Sequence, residues 1–182
     1  YPRNDGTSSL GDWVVCKEKL PEGIDALIDE AERNGIKFGI WIEPEMTNTK
    51  SELYEKHPDW VLRQPDREPF KGRGETQLVL DLCNPKVQDH VFNVVDNLMQ
   101  AHPRIHYMKW DANMSMNNAS SLYLPEDRQS HLYVEYHKGL IDVCRRIREK
   151  YPELIIQLCA SGGGRLNYGF FPYFNECWSS DN

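Results

Sequence analysis

Apolar residues along the chain follow two spacings in turn, and this alternation predicts a repeated order of helix and strand. In residues 21–34 the apolar positions recur every three or four residues, as on one face of an amphipathic helix, and Gly35 follows where such a helix should end. Residues 36–42 are almost continuously apolar, which is typical of a strand buried on both faces. A helix is therefore expected to lead directly into a buried strand.

The same order is predicted three more times along the chain. The predicted helices and their strands are 87–98 with 105–110, about 128–150 with 154–159, and 168–174 with 175–180. Helices that alternate with buried strands predict an α/β fold with a parallel sheet, which is either doubly wound or part of a barrel.

Polar residues that could take part in catalysis follow each predicted strand, and this arrangement favours the barrel. They are Glu43 and Glu45 after the first strand, Asp111 after the second, residues 159–165 after the third, and Asp181 after the last. In (β/α)8 barrels the catalytic residues lie at the carboxyl ends of the strands. A whole barrel needs eight strands and about 250 residues. The pattern therefore predicts part of a TIM barrel with about four βα units.

Asp111 and Asp181 are the leading catalytic candidates. Two carboxylates on either side of a sugar can cleave a glycosidic bond, one as nucleophile and the other as acid and base, when they lie roughly 5–5.5 Å apart. Their separation of 181 − 111 = 70 residues suits two strands of one barrel but does not establish that distance. Helix capping or a loop salt bridge is the alternative explanation for each aspartate.

Aromatic and basic residues near the strand ends could contact a sugar. The indoles of Trp41, Trp110 and Trp178 could stack on its apolar face or could simply pack in the core. Arg73 and Lys109 could bind hydroxyl groups or keep a neighbouring carboxylate ionised, although Arg73 could equally be a solvated surface residue.

The remaining polar segments give weaker signals. The glycine run at 162–164 lacks a phosphate-loop motif, so it predicts either a close approach to a neutral ligand or a tight turn. Glu43 is expected to shape the pocket or orient the region of Lys109, and Glu45 is expected to be a loop residue. The six histidines have no HExxH motif, so no metal is predicted.

Composition and charge narrow the class of protein. The net charge of −7, without a basic block, makes nucleic acid and anionic membranes unexpected partners, and no apolar stretch approaches the roughly 20 residues of a membrane span. Five cysteines without CxxC spacing predict reduced thiols, which favours the cytoplasm and leaves the periplasm or secretion open. Because the chain begins at Tyr1 without an initiator methionine, we expect it to be part of a longer protein.

Five motifs together resemble the α-galactosidases of glycoside hydrolase family 36, in order and over almost the whole chain. They lie at 39–46, 77–81, 109–113, 159–165 and 178–182. The resemblance implies that residues 1–182 are a fragment of a single (β/α)8 catalytic domain, covering its third to sixth strands, with the flanking strands and β domains absent. It also implies that Asp111 is the nucleophile and Asp181 the acid/base.

The same resemblance implies a substrate and a binding pocket. The substrate would be an oligosaccharide with a terminal α-linked galactose, of the melibiose or raffinose type, and no cofactor would be needed. The residues lining the galactose pocket would be Trp41, Arg73, Lys109, Asn113, Cys159, Gly162 and Trp178.

Three alternatives stay open from the sequence. A galactosyl transferase or an α-N-acetylgalactosaminidase could use the same carboxylate pair. The isolated chain could also be a non-catalytic half-barrel, which binds sugar weakly or forms a homo-oligomer through an open sheet edge. In that case the missing parts of the parent chain would be its essential partners.

Overall fold

A parallel sheet lies at the centre of the structure, a computed structural model that describes residues 3–181. The strands in chain order are β1 (Phe38–Ile42), β2 (Met46–Asn48), β3 (Gln77–Val79), β4 (Ile105–Trp110), β5 (Ile155–Leu158) and β6 (Glu176–Cys177). The helices are α1 (Gly23–Arg33), α2 (Glu52–Lys56), α3 (Pro85–Ala101) and α4 (Leu132–Lys150). Short 3-10 turns cover Pro58–Trp60, Arg73–Glu75 and Glu126–His131.

Four strands pair in the order β1-β4-β5-β6, and every pairing is parallel. The register aligns Trp41 of β1, Lys109 of β4, Gln157 of β5 and Glu176 of β6 in one row across the sheet. The predicted α/β fold with a parallel sheet is therefore confirmed. Parallel strands end at the same edge of a sheet, so the segments that follow β1, β4, β5 and β6 meet there.

The two faces of this sheet differ in character. Met108, Trp110, Ile156 and Leu158 point to one face, where they join the buried residues of α3 and α4 in one apolar core. The other face carries the row that includes Trp41, which is 40% exposed. The prediction that the first strand is buried on both faces is therefore wrong, because the helices among residues 3–181 cover one face of the sheet.

Local sequence explains where the main helices begin and end. Asn84 accepts a hydrogen bond from the backbone N–H of Lys86 (3.0 Å) at the start of α3, and Pro85 occupies its first position. Gly35 follows α1 with a φ of +71°, a conformation that ends helices and favours glycine. None of the helices in the described part of the chain is long and apolar enough to cross a bilayer.

The structure differs from the sequence predictions at the end of the chain and in the middle. Residues 168–174 form consecutive turns rather than a helix, since Gly169 and Pro172 interrupt the segment, and the last strand is limited to β6. A second, antiparallel sheet of β2 and β3, which was not predicted, follows β1. It places Gln77 beside the carboxyl end of β1.

Candidate active site

Asp111 lies directly after β4 at the carboxyl edge of the parallel sheet, where it is 7% exposed. Its backbone N–H donates to the carbonyl of Ile42 (2.8 Å), which fixes it beside the end of β1. Its Oδ2 accepts hydrogen bonds from Trp41 Nε1 (2.9 Å) and Asn113 Nδ2 (2.7 Å), and its Oδ1 accepts one from the Ala112 N–H (3.0 Å). Three N–H groups thus hold the carboxylate in place.

These contacts keep Asp111 ionised. Burial acts to raise the pKa of its carboxyl group, but the hydrogen bonds from Trp41, Asn113 and the Cys159 thiol outweigh burial, so the pKa lies below its ordinary value. Burial, together with the nearby charge of Asp111, raises the pKa of Cys159. Cys159 is therefore a thiol at neutral pH and serves as a donor to the carboxylate.

The loop after β5 connects Asp111 to the segment that carries Asp181. The Cys159 thiol interacts with Asp111, its backbone N–H donates to the carbonyl of Trp110 (2.8 Å), and the Ala160 N–H donates to the carbonyl of Gly162 (2.9 Å). Gly162 has a φ of +83°, and a Cβ atom there would lie 3.2 Å from the Cα of Ser180 and 3.3 Å from the backbone nitrogen of Asp181. Glycine thus allows the loop to pack against the backbone of Asp181, and both aspartates lie at one edge of the sheet.

Asp181 is exposed and is oriented by an indole. Trp178 Nε1 donates to Asp181 Oδ1 (2.8 Å), and the Trp178 backbone N–H donates to the carbonyl of Leu158 (2.9 Å), which extends the pairing of β6 with β5. Lys109 Nζ lies 4.5 Å from the centre of the Trp178 ring, in a cation–π contact. The Trp178 side chain is 44% exposed, so much of its surface is free to contact a ligand.

Most of the sequence-predicted pocket residues are brought together in two neighbouring groups. Trp41, Asn113 and Cys159 surround Asp111, and Lys109, Gly162 and Trp178 lie around Asp181. Arg73 does not join either group. It is exposed in the 3-10 turn before β3, and within residues 3–181 it makes no hydrogen bond or ion pair with them.

Of the two roles predicted for Glu43, the contacts fit shaping the pocket rather than orienting Lys109. Its Oε1 accepts the backbone N–H of Asn113 (2.6 Å) and Nε2 of Gln77 (2.9 Å), so it holds the segment after Asp111 rather than the region of Lys109. Burial, and secondarily the charge of Asp111, raises the pKa of Glu43.

Glu45 is also not the loop residue that the sequence suggested, because it is 0% exposed. Its Oε1 accepts Trp110 Nε1 (2.8 Å) and pairs with the Arg165 guanidinium, and its Oε2 accepts the Tyr136 hydroxyl (2.7 Å). Trp110 is accordingly a core residue and does not face a ligand. The sequence shows two glutamates after a strand with one residue between them, but it does not show which residues would bond to them.

The described part of the chain contains no candidate metal site. Among residues 3–181, no group of three or more histidine, cysteine, aspartate or glutamate side chains is arranged to hold a metal ion.

Known proteins resemble the chain over its whole length. Alpha-galactosidase 2 of Pediococcus pentosaceus is 44% identical over 179 residues, which are 98% of this chain and 24% of that protein. Alpha-galactosidase AgaA of Geobacillus stearothermophilus is 41% identical over 180 residues, 99% of this chain and 24% of the relative. The crystal structure of the α-galactosidase from Lactobacillus brevis superimposes with a TM-score of 0.93 at 37% identity, covering 100% of this chain and 24% of that one.

These relatives are much longer than the chain, which spans about a quarter of the length of the curated relatives it matches. A model of the family described as Melibiase matches residues 2–182. As the resemblance to glycoside hydrolase family 36 predicted, the chain belongs to the melibiase family.

Proposed function

We propose that the protein containing this chain is a retaining α-galactosidase that removes terminal α-linked galactose from melibiose- or raffinose-type sugars. The main support is the arrangement around Asp111: an ionised, buried carboxylate that is connected through Cys159 and Gly162 to the backbone of Asp181. Two carboxylates at one edge of a parallel sheet suit a double displacement.

In the first step an oxygen of Asp111 attacks the anomeric carbon of galactose as the bond to the leaving oxygen breaks. Asp181 gives its proton to that oxygen, and a galactosyl ester of Asp111 forms. In the second step Asp181 removes a proton from water, the water oxygen attacks the anomeric carbon, and the ester bond breaks. Two inversions at the same carbon give net retention.

The two aspartates have surroundings that fit these different tasks. A nucleophile must be ionised, and the hydrogen bonds to Asp111 lower its pKa. An acid/base must exchange protons with the leaving group and with water, and Asp181 is exposed. Trp41 and Trp178 offer partly exposed indoles on which the apolar face of a sugar can stack.

The other proposed pocket residues provide polar contacts. Lys109, Asn113, Cys159 and Gly162 would bind galactose from the same sheet edge, and Arg73 would have to approach from its exposed turn. The reaction uses only carboxylates and water, so it needs no cofactor.

Ligand-bound relatives support the substrate class and the assignment of the pair. Structures of family 36 AgaA variants from Geobacillus stearothermophilus contain 1-deoxygalactonojirimycin, raffinose or stachyose. The raffinose complex carries an aspartate-to-asparagine change and the stachyose complex an aspartate-to-alanine change, and these two positions lie 70 residues apart. Asp111 and Asp181 have the same separation, 181 − 111 = 70.

We further propose that residues 1–182 are one segment of a single (β/α)8 catalytic domain and supply its third to sixth strands. The parallel order β1-β4-β5-β6, helices on one face and polar side chains on the other support this assignment. The remaining strands and the flanking β domains would come from other parts of the parent chain.

The test is hydrolysis of an aryl α-galactoside by the full-length protein, compared with its Asp111→Ala and Asp181→Ala variants in the presence of azide. In the Asp111→Ala variant, azide takes the place of the missing carboxylate, attacks the anomeric carbon once and should yield the β-galactosyl azide. Azide that replaces water in the Asp181→Ala variant attacks the galactosyl ester and should yield the α-galactosyl azide. The same azide anomer from both variants, or unchanged hydrolysis in Asp111→Ala, would refute the assignment.

A further inference from the structure

Two buried glutamates that the proposed reaction does not use lie beside Asp111. Glu43 is 4% exposed and Glu45 is buried completely, and both follow β1 with Pro44 between them. Burial of a carboxylate is unfavourable unless hydrogen bonds or an opposite charge compensate for it. Their hydrogen-bond partners therefore show what the burial achieves.

Glu45 fixes the residue that precedes Asp111. Its Oε1 accepts the indole N–H of Trp110 (2.8 Å), the last residue of β4, and the same carboxylate pairs with Arg165 at the end of the loop that starts at Cys159. The Tyr136 hydroxyl completes the contacts from α4 (2.7 Å). One carboxylate thereby connects β4 with the loop after β5.

Glu43 fixes the residues that follow Asp111. Its Oε1 accepts the backbone N–H of Asn113 (2.6 Å), and the Asn113 side chain donates in turn to Asp111 Oδ2 (2.7 Å). Gln77 of β3 donates to the same oxygen of Glu43 (2.9 Å), so the second sheet holds Glu43 in place. The position of the Asn113 amide group therefore depends on Glu43.

We propose that Glu43 and Glu45 are positioning residues that hold the Asp111 carboxylate in its attacking orientation, through Asn113 on one side and Trp110 on the other. The inference rests on the proposed function, because it takes Asp111 as the nucleophile. A displacement of about 1 Å at a reacting group can cost on the order of 100-fold in rate, so a support this close to the nucleophile has a kinetic effect.

Substitutions of Glu43 separate positioning from plain stability. Both hydrogen bonds to Glu43 use one oxygen, so the carbonyl of glutamine can replace it, whereas methionine cannot. Asp96 provides a matched control, since it is also buried and accepts hydrogen bonds from Tyr151 (2.5 Å) and Gln100 (2.7 Å), away from the site. The variants are Glu43→Gln, Glu43→Met and Asp96→Leu in the full-length protein, with an aryl α-galactoside as substrate.

Glu43→Met is expected to lower kcat by about 10- to 100-fold and to change KM less than about threefold. The acidic limb of its kcat/KM profile should move to higher pH, because Asp111 loses the oriented donor Asn113. The titratable groups that interact with Asp111 are Glu43, just after β1, and Cys159, just after β5. Glu43→Gln keeps the oxygen that accepts the Asn113 N–H, so it should retain both the rate and the acidic limb. Asp96→Leu should lower the unfolding midpoint and leave kcat and the limb unchanged.

Trp110→Phe tests the contact between Glu45 and the residue before Asp111. It keeps an aromatic ring in the core and removes only the N–H that donates to Glu45. We expect kcat to fall about fivefold, the effect of one hydrogen bond. Wild-type kcat and pH profile in both Glu43→Met and Trp110→Phe would overturn the proposal, as would an equal loss of kcat in Asp96→Leu. Hydrolysis that persists in Asp111→Ala would instead overturn the proposed function.

Discussion

Replacement of Arg148 by methionine should loosen the attachment of β6 to the sheet. From the last turn of α4, the guanidinium donates to the carbonyl oxygens of Pro152 (3.1 Å), Leu154 (2.7 Å) and Tyr173 (2.8 Å). It also donates to the side chain of Asn175 (2.8 Å), the residue before β6. These bonds join the start of β5 to the start of β6.

The size of the effect follows from the burial of these four bonds. The bonds to Leu154 and Tyr173 are partly buried, and each bond from a charged donor contributes about 1.5–3 kcal/mol. Water can replace the two exposed bonds at little cost. Since β6 pairs with β5 at two positions, the free energy of local opening should fall by about 3–5 kcal/mol, which is roughly a 100- to 4,000-fold rise in amide exchange.

Hydrogen-exchange mass spectrometry of the full-length protein measures this rise in the peptide that covers 175–181. Arg148→Lys should give an intermediate rate, because an ammonium keeps the charge but cannot reproduce the planar fork. Arg145→Met is the control: Arg145 lies one turn earlier and pairs with exposed Asp142 and Glu149, so its loss should change little. Exchange in Arg148→Met equal to that in Arg145→Met would refute the reasoning.

Three further predictions concern the site. Gly162→Ala should destabilise the protein by about 1–3 kcal/mol and lower kcat, because the new Cβ would press against the backbone of Ser180 and Asp181. Gly35→Ala is the control, since Gly35 has a similar φ but open space around it. Calorimetry should show a lower unfolding temperature for this control, with no loss of kcat. Trp178→Phe removes the donor to Asp181, so kcat should fall more for poor leaving groups than for activated aryl ones, and equal losses would contradict this. Because the folded pKa of Asp111 is lowered, its ionised form stabilises the fold above the ordinary value of 3.8, and this contribution is lost as the pH falls through the folded pKa. The difference in melting temperature between wild type and Asp111→Asn should therefore be larger at pH 7 than at about pH 3.

Local patterns predicted most of the regular structure. The strand over 105–110 has the predicted bounds, and the three long helices lie where apolar residues recur at helical spacing, because that spacing reflects one face packed on the core. The segment over 168–174 shows how the same signal misleads. Phe170 and Phe174 have helical spacing but meet edge to face across a turn, with ring centres 5.7 Å apart.

The site could be predicted in outline for a topological reason. Once the strands are parallel, their carboxyl ends share one edge, so Asp111 and Asp181 are brought to the same region whatever lies between them. The burial of Glu45 could not be predicted in this way. Its counterion, Arg165, is 120 residues away in the chain, and an ion pair of that range leaves no local pattern.

The loop from Cys159 to Gly162 has a consequence for stereochemistry. It contacts Asp111 through a thiol and the backbone of Asp181 through a glycine without a side chain, so it is one of the segments that position the two acids. Carboxylates about 5–5.5 Å apart give retention, whereas a gap of about 6.5–9.5 Å admits a water molecule and gives inversion. In the proposed enzyme, the anomeric outcome would then be determined by the length of this loop as much as by either aspartate.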